Sequence, residues 1–462
     1  MGHPKKPLPP CFIIRGYSVI TLARKLRVVD YFTLGWGTMV GVGWLVVMDD
    51  WLLRGGVLGA VLGFAIGGAM LLPIGYVYGQ LVAAIPDASG EIAYTARVFP
   101  RFISVATGWM MVLAYFIVCP WEAVAVGRIA GYIFPALDSM ELYRIAGRPV
   151  YLPHLLIGLG LTGAITLLNY RGIRLSATFQ NWTAFGTLAL FVVFVSAGIS
   201  KGSAQNLPPL FTHGGFVSVL LVVQIVPYFM TGYESVVKGA EEARPEFRSQ
   251  GFFTAIWMAI VVGVIFYVVV ISSVGYVAPW RQLTGEKFMT AVAFQRAVGS
   301  RWIVSVILAA AILSLFKVFN GNFVAASRLL FALGRRGLVD RRVSHVHSRN
   351  QTPSVAVLWI GAATAACMFL GDVTLVPISE VGSVASAAGW LAACAAYYQM
   401  KPSATQRTVA AVGAVVGLVF ILMKLLPFIP GHFTRYEWLA LGIWSVLGFG
   451  LHRRAAAGET AA

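Results

Sequence analysis

Three charged residues stand where charge is hard to keep: Glu122, Glu234 and Lys317, each inside or at the edge of a long apolar run. A charge in hydrocarbon costs roughly 3 kcal/mol on insertion scales, so such residues are functional candidates by default. Glu122 follows Pro120 near the middle of the 102–134 run. Ionised, it could pair with an ammonium on a bound solute or with an internal cation. Arg128 is a poor internal partner, because six helical positions put the two on different faces. Glu234 follows a helix-breaking stretch and could tie that stretch down, or touch a solute or proton directly. Lys317 interrupts the apolar run that begins at Leu308. It could pin the structure by pairing with Glu122, Glu234 or another buried acid.

Other residues with chemical potential read as ordinary. His345-Val-His347 has the spacing of a metal pair, but it sits in a basic stretch without Cys or clustered acids, so it reads as a solvated loop. The four cysteines, Cys11, Cys119, Cys367 and Cys394, show no metal or redox spacing and read as packing residues. Asp49-Asp50 falls at a helix end. Asn181-Trp-Thr and Asn350-Gln-Thr match the glycosylation pattern, but one lies in a span and the other in a basic loop. No Gly-x-x-x-x-Gly-Lys phosphate loop is present, which disfavours a nucleotide-driven pump. A membrane-embedded enzyme needs clustered acids, His or metal ligands, and these are scattered. No metal or cofactor is expected.

The elements that must position these residues are membrane helices. Apolar residues make up 58% of the chain and charged ones 11%, against roughly 25% charged in soluble domains. Charge-free runs near the ~20 residues that cross a bilayer recur throughout. Backbone groups in lipid must be paired internally, so these runs are helices, and no alternating barrel segments occur. About twelve spans are expected: 31–48, 57–85, 102–134, 151–168, 178–199, 216–238, 252–274, 302–333, 354–370, 377–399, 408–427 and 436–452. The longest exposed stretch is expected at 275–301. The net charge of +17 reflects Lys and Arg concentrated in alternate loops. By the positive-inside rule that face is cytoplasmic, with both termini inside. Attraction to anionic lipid explains the charge without nucleic acid.

Glycine and proline interrupt two of these helices. The first carries Gly35-Trp-Gly37-Thr-Met-Val-Gly41-Val-Gly43, and the sixth Pro227-Tyr-Phe-Met-Thr-Gly232-Tyr-Glu234. Such breaks at membrane depth survive where they line a cavity or where neighbours satisfy the freed backbone. Matched breaks in two repeats point to a midplane site; the alternative is that the glycines only pack helices. Gly59, Gly63 and Gly67 on the second span are read as packing alone.

Four segments then carry a resemblance. Gly37-Thr-Met-Val-Gly41-Val-Gly43-Trp-Leu resembles the G-x-x-x-G-S-G-I-F signature of amino acid permeases. Ile85-Pro-Asp-Ala-Ser-Gly90-Glu-Ile-Ala-Tyr94 resembles their I-P-x-x-G-G-x-Y-x-Y segment. Phe229-Met-Thr-Gly232-Tyr-Glu234 with Glu241-Glu-Ala-Arg-Pro245 resembles F-x-G-F-E and E-E-x-x-x-P. Ala326-Ser-Arg328-Leu-Leu-Phe-Ala-Leu-Gly334-Arg-Arg-Gly337 and Thr352-Pro353 resemble S-R-x-L-x-A-L-x-R-D-G and the following T-P. Over about residues 28–400 the chain thus resembles the amino acid–polyamine–organocation permeases.

The resemblance implies an all-α polytopic protein of LeuT type. A basic tail (1–30) would precede a core of two inverted five-helix repeats (about 31–200 and 216–400). Two peripheral helices (401–454) and a tail (455–462) would follow. It implies a substrate site at Thr38, Gly41, Val42, Gly43, Glu122, Tyr228, Thr231, Gly232, Glu234 and Asn322. There the N–H groups of Gly41 to Gly43 would hold a carboxylate, and the carbonyls of Tyr228 to Thr231 would accept from an amine. In LeuT-type symporters the first and eighth helices build a sodium site; Lys317 would replace that ion with an ammonium and exchange a proton. Val42 and Trp44 depart from the usual pattern. The implied function is secondary transport of amino acids or related amines in the cell membrane, sodium-independent and proton-linked. Alternatives are an exchanger, a transporter-like nutrient sensor or a membrane-embedded enzyme.

Overall fold

A computed structural model describes residues 22–460, apart from 146, 287 and 372–374. It is mostly helical. The first span is interrupted: α1 (Val28–Met39) stops before Gly41, and α2 (Gly43–Val46) resumes after it. α3 (Met48–Met70) runs from the end of the first expected span into the second, with the corner at Gly56, whose φ of 67° suits only glycine comfortably. α4 (Leu72–Ala84) completes that span, and the short α5 (Glu91–Thr95) sits in the following loop.

α6 (Arg101–Phe116) and α7 (Val118–Ile133) form one interrupted rod. Pro120 has no N–H to offer the preceding turn, which accounts for the interruption. After a hairpin come α8 (Leu152–Arg171) and α9 (Ile173–Ile199). The second broken span comprises α10 (Gly215–Val223), α11 (Val226–Met230) and α12 (Ser235–Lys238), followed by α13 (Gln250–Val277), α14 (Met289–Val298) and α15 (Trp302–Arg335). α16 (Ser354–Met368), α17 (Leu375–Gln399), α18 (Ala404–Leu425) and α19 (Arg435–Thr460) follow. Among the described residues seven helices are long and apolar enough to cross a membrane, and Ser354–Met368 is a shorter apolar one. Large apolar side chains such as Trp182, Phe216 and Val446 point outward, as lipid contact requires.

The helical reading needs four corrections. A two-stranded antiparallel hairpin, β1 (Glu141–Ile145) and β2 (Arg148–Tyr151), stands between α7 and α8, so the chain is not strictly all-α. The stretch expected to be exposed, 275–301, contains α14, whose Met289, Thr290, Ala291 and Phe294 are buried; Thr290 donates to the Trp44 carbonyl at 2.7 Å. The final helix runs into the segment expected to be a tail. The basic tail is anchored from its described start. Leu22 and Leu26 are buried, and the Lys25 and Leu26 N–H groups donate to the Glu242 carbonyl. Residues 1–21, including Cys11, lie outside the described part, as does most of the expected N-terminal tail.

α1 packs against α13, α9 and α15, at the centre of the molecule. The glycine stripe does pack: a Cβ at Gly63 or Gly67 would meet Val222 or Val226 at 2.5 and 2.7 Å, so the second span lies directly on the sixth.

Candidate binding site

The two breaks face each other. Gly232 has a φ of 135°, and a Cβ there would lie 2.5 Å from the Met39 nitrogen. The Tyr267 hydroxyl, from α13, reaches the Met39 carbonyl at 3.3 Å and the Phe229 carbonyl at 3.1 Å, bridging both interruptions.

At the first break α15 supplies the partners. Ser314 donates to the Val40 and Gly41 carbonyls at 3.0 and 2.8 Å. The Lys317 ammonium also donates to the Val40 carbonyl and lies 3.2 Å from Ser314 Oγ and 4.6 Å from the Trp36 ring centre. Asn322 donates to the Thr38 carbonyl at 3.0 Å. At the second break Glu234 accepts from the Gly232 N–H at 3.1 Å. Thr231 donates to the Pro227 carbonyl at 2.5 Å and lies 2.6 Å from Ser386 Oγ.

Between the breaks lies a cavity of about 20 Å³, room for about one water. Thr38, Gly41, Gly43, Glu122, Tyr228 and Thr231 line it, together with Trp121, Phe229, Met39, Val118 and Val318. Of the residues expected at the site, these first six meet in one place, while Val42, Gly232, Glu234, Asn322 and Lys317 stand behind its wall. Glu122 is 2% exposed. A Cβ at Gly41 would lie 2.8 Å from its Oε1. Its Oε2 is buried without a partner. The Lys317 ammonium sits on the Val40 carbonyl rather than on the Glu122 carboxyl. Trp44 turns away from the cavity and stacks on Phe194 at 5.3 Å.

Tyr267, Trp121 and Ser386 carry no spacing signal that marks them in the sequence, whereas Phe229 opens the helix-six segment that carries the resemblance. Asn320 joins Asn169, Ser176 and Gln180 in ordinary interhelical hydrogen bonds, whereas Ser314 serves the first break. His345 and His347 bond to Ser354 and the Asn350 N–H. A larger cavity of about 260 Å³ lies away from the breaks, beside the hairpin, lined by Arg128, Arg148 and His154 among others; His154 pairs with Asp138 at 3.0 Å.

Charge clusters flank the site at both ends. On the basic-loop face, buried Lys238 pairs with Glu91, and Tyr78 donates to Glu91 at 2.7 Å. Arg328 grips Glu242 at 3.0 and 3.3 Å, both fully buried. Arg335 meets Glu241, and Arg336 meets Asp87 at 2.7 Å. Burial works against the Asp87 charge, yet Arg336, the Ser89 hydroxyl and Arg335 outweigh it and hold its carboxyl below the usual value. Toward the opposite face Arg54 pairs with Asp50 at 2.8 Å and approaches Glu380 at 3.6 Å, and Lys424 pairs with Glu380.

A helical membrane protein with two interrupted helices closed around a small central cavity has the parts of a solute carrier. The amino acid permease family model matches residues 26–449, and the chain belongs to that family, among the amino acid–polyamine–organocation transporters. It is similar to the branched-chain amino acid permease BcaP of Bacillus subtilis, at 25% identity over 79% of this chain and 77% of that protein. It is 24% identical to the methylthioribose transporter of Bacillus subtilis over 79% of each. It is 26% identical to cationic amino acid transporter 4 of Homo sapiens, over 79% of this chain and 58% of that protein. These are permeases and transporters, and the chain is not an enzyme.

Proposed function

We propose that this permease is a secondary active transporter with twelve spans in the LeuT-type arrangement, two inverted five-helix repeats and two peripheral helices. It carries amino acids or related amines by alternating access across the cell membrane, with both termini cytoplasmic. The cavity between the two breaks is the substrate site. The relatives' names support solute transport, and the methylthioribose transporter among them means the substrate has to be argued from the site itself.

Coupling is to protons rather than sodium. The observation that carries this is the Lys317 ammonium on the Val40 carbonyl, beside Ser314. A carbonyl freed by a helix break, next to a hydroxyl, is a natural cation seat, and here a side chain fills it. A lysine can exchange its proton, whereas a bound metal ion has to leave. The test is uptake of amino acids and amines by proteoliposomes under an imposed proton or sodium gradient. Uptake should follow the proton gradient and ignore sodium, and Lys317→Ala should lower gradient-driven uptake by about tenfold or more. Robust uptake by Lys317→Ala with an unchanged pH profile would remove the proton-carrier role.

A further inference from the structure

The transport reading places a substrate between the two breaks, and the cavity's lining narrows its chemistry. Among the described residues that line it, one side chain is acidic, and that is Glu122. No Lys, Arg or His lines it. Glu122 Oε1 is tucked against Gly41, where a side chain would collide with it. The nearby Lys317 is committed to the Val40 carbonyl and Ser314. A second carboxylate brought into this space would meet the first at low dielectric with no cation between them, and that repulsion is strong.

The remaining groups ask for hydrogen-bond donors. Glu122 Oε2 is a buried acceptor without one, a situation native proteins rarely leave unexplained. Thr38 gives its proton to the Leu34 carbonyl at 2.6 Å, and Thr231 gives its own to the Pro227 carbonyl. Both hydroxyls therefore offer lone pairs. The rings of Trp121, Tyr228 and Phe229 complete the lining, and aromatic faces attract cations. An ammonium supplies three donors and no acceptor, and an apolar tail suits the rings.

We infer that the site takes a primary alkyl- or arylalkylammonium lacking an α-carboxylate, with Glu122 as its counter-ion and specificity-determining residue. The inference rests on the transporter reading of this cavity. In effect the protein carries the carboxylate that an amino acid would bring.

Matched ligand pairs test this on the purified full-length chain. Each pair is an amino acid and its decarboxylated amine: tryptophan and tryptamine, leucine and isoamylamine, lysine and cadaverine, arginine and agmatine. Binding is read as thermal stabilisation, because a ligand of the folded state raises its apparent stability by mass action. In at least one pair the amine should stabilise at a concentration about tenfold or more below that needed for its amino acid. Glu122→Gln should erase that preference. The comparison within the wild-type protein needs no variant, so it stands even if Glu122→Gln folds poorly. If the amino acid is the better ligand in every pair that binds, the inference falls while the transporter reading stands. If neither member of any pair binds and proteoliposomes take up neither, both fall.

Discussion

At the first break, between Met39 and Gly43, the freed carbonyls are met from another helix; at the second, between Met230 and Ser235, the chain largely meets its own needs. Ser314, Lys317 and Asn322 all come from α15, and together they take the carbonyls of Thr38, Val40 and Gly41. The second break uses Glu234 for the Gly232 N–H and Thr231 for the Pro227 carbonyl, two and four residues apart in sequence. An unsatisfied backbone group in hydrocarbon costs several kcal/mol, so both solutions are obligatory. They differ in what they couple. Any change at Lys317 is felt at once by the first break, because the same ammonium holds its carbonyl. The second break keeps its Gly232 N–H and Pro227 carbonyl within one segment, with outside contacts from Tyr267 at Phe229 and Ser386 at Thr231. The protein thus pairs a break held mainly from α15 with one held mainly from within.

The contact between the two breaks is the part of this comparison that breaks hardest. Gly232 sits at φ 135°, and a Cβ there would lie 2.5 Å from the Met39 nitrogen and 2.7 Å from the Thr38 carbonyl carbon. Both are backbone atoms and cannot rotate away. Backbone strain and overpacking together should cost Gly232→Ala about 3 kcal/mol or more. The expected outcome is a large fall in melting temperature and loss of ligand stabilisation. A Gly232→Ala protein that melts and binds like wild type would mean that the two interruptions do not press on each other.

Tyr267→Phe should have a smaller effect, spread over both breaks. The hydroxyl is shared between the Met39 and Phe229 carbonyls, and leaving buried acceptors short of a donor costs about 1–3 kcal/mol. Hydrogen exchange read by mass spectrometry should quicken in segments 38–43 and 229–234 alike. Faster exchange in only one segment would make the bridge one-sided and the breaks more independent than their geometry implies.

How much of this was legible beforehand follows from how far each feature depends on contact. The helices were legible, because an apolar run without charge has one stable form in lipid. Both interruptions were legible too, since Gly41 and Gly43, and Pro227 and Gly232, break local rules. Glu122 stood out as a charge in an apolar run. Its neighbours did not, because the meeting of Gly41 with Glu122 is made by the approach of α7 to the first break, and no spacing encodes that. Tyr267 is one more aromatic in an apolar helix until α13 brings it to both breaks. The stretch 275–301 stood as the longest one outside the expected spans, yet α14 within it is buried against α15, α13 and α2, contacts that no local pattern announces. The anchored segment at Leu26 rests on backbone pairing with Ala243, which any side chains would permit.

The finest distinction between the breaks compares one chemical change at two places. Ser314→Ala and Ser386→Ala each delete a single hydroxyl from a buried serine. Ser314 serves two freed carbonyls, those of Val40 and Gly41. Its loss should lower stability by about 1–2 kcal/mol. Ser386 lies 2.6 Å from the Thr231 hydroxyl, whose proton has the Pro227 carbonyl at 2.5 Å as its partner. Its loss should fall near the average interhelical hydrogen bond in a membrane protein, about 0.6 kcal/mol. Unfolding in mixed micelles, monitored by tryptophan fluorescence, can separate the two. A larger loss for Ser314→Ala supports a first break held from α15 and a second held from within. Equal losses would mean that α17 braces the second break as firmly as α15 braces the first, and the contrast between them would vanish.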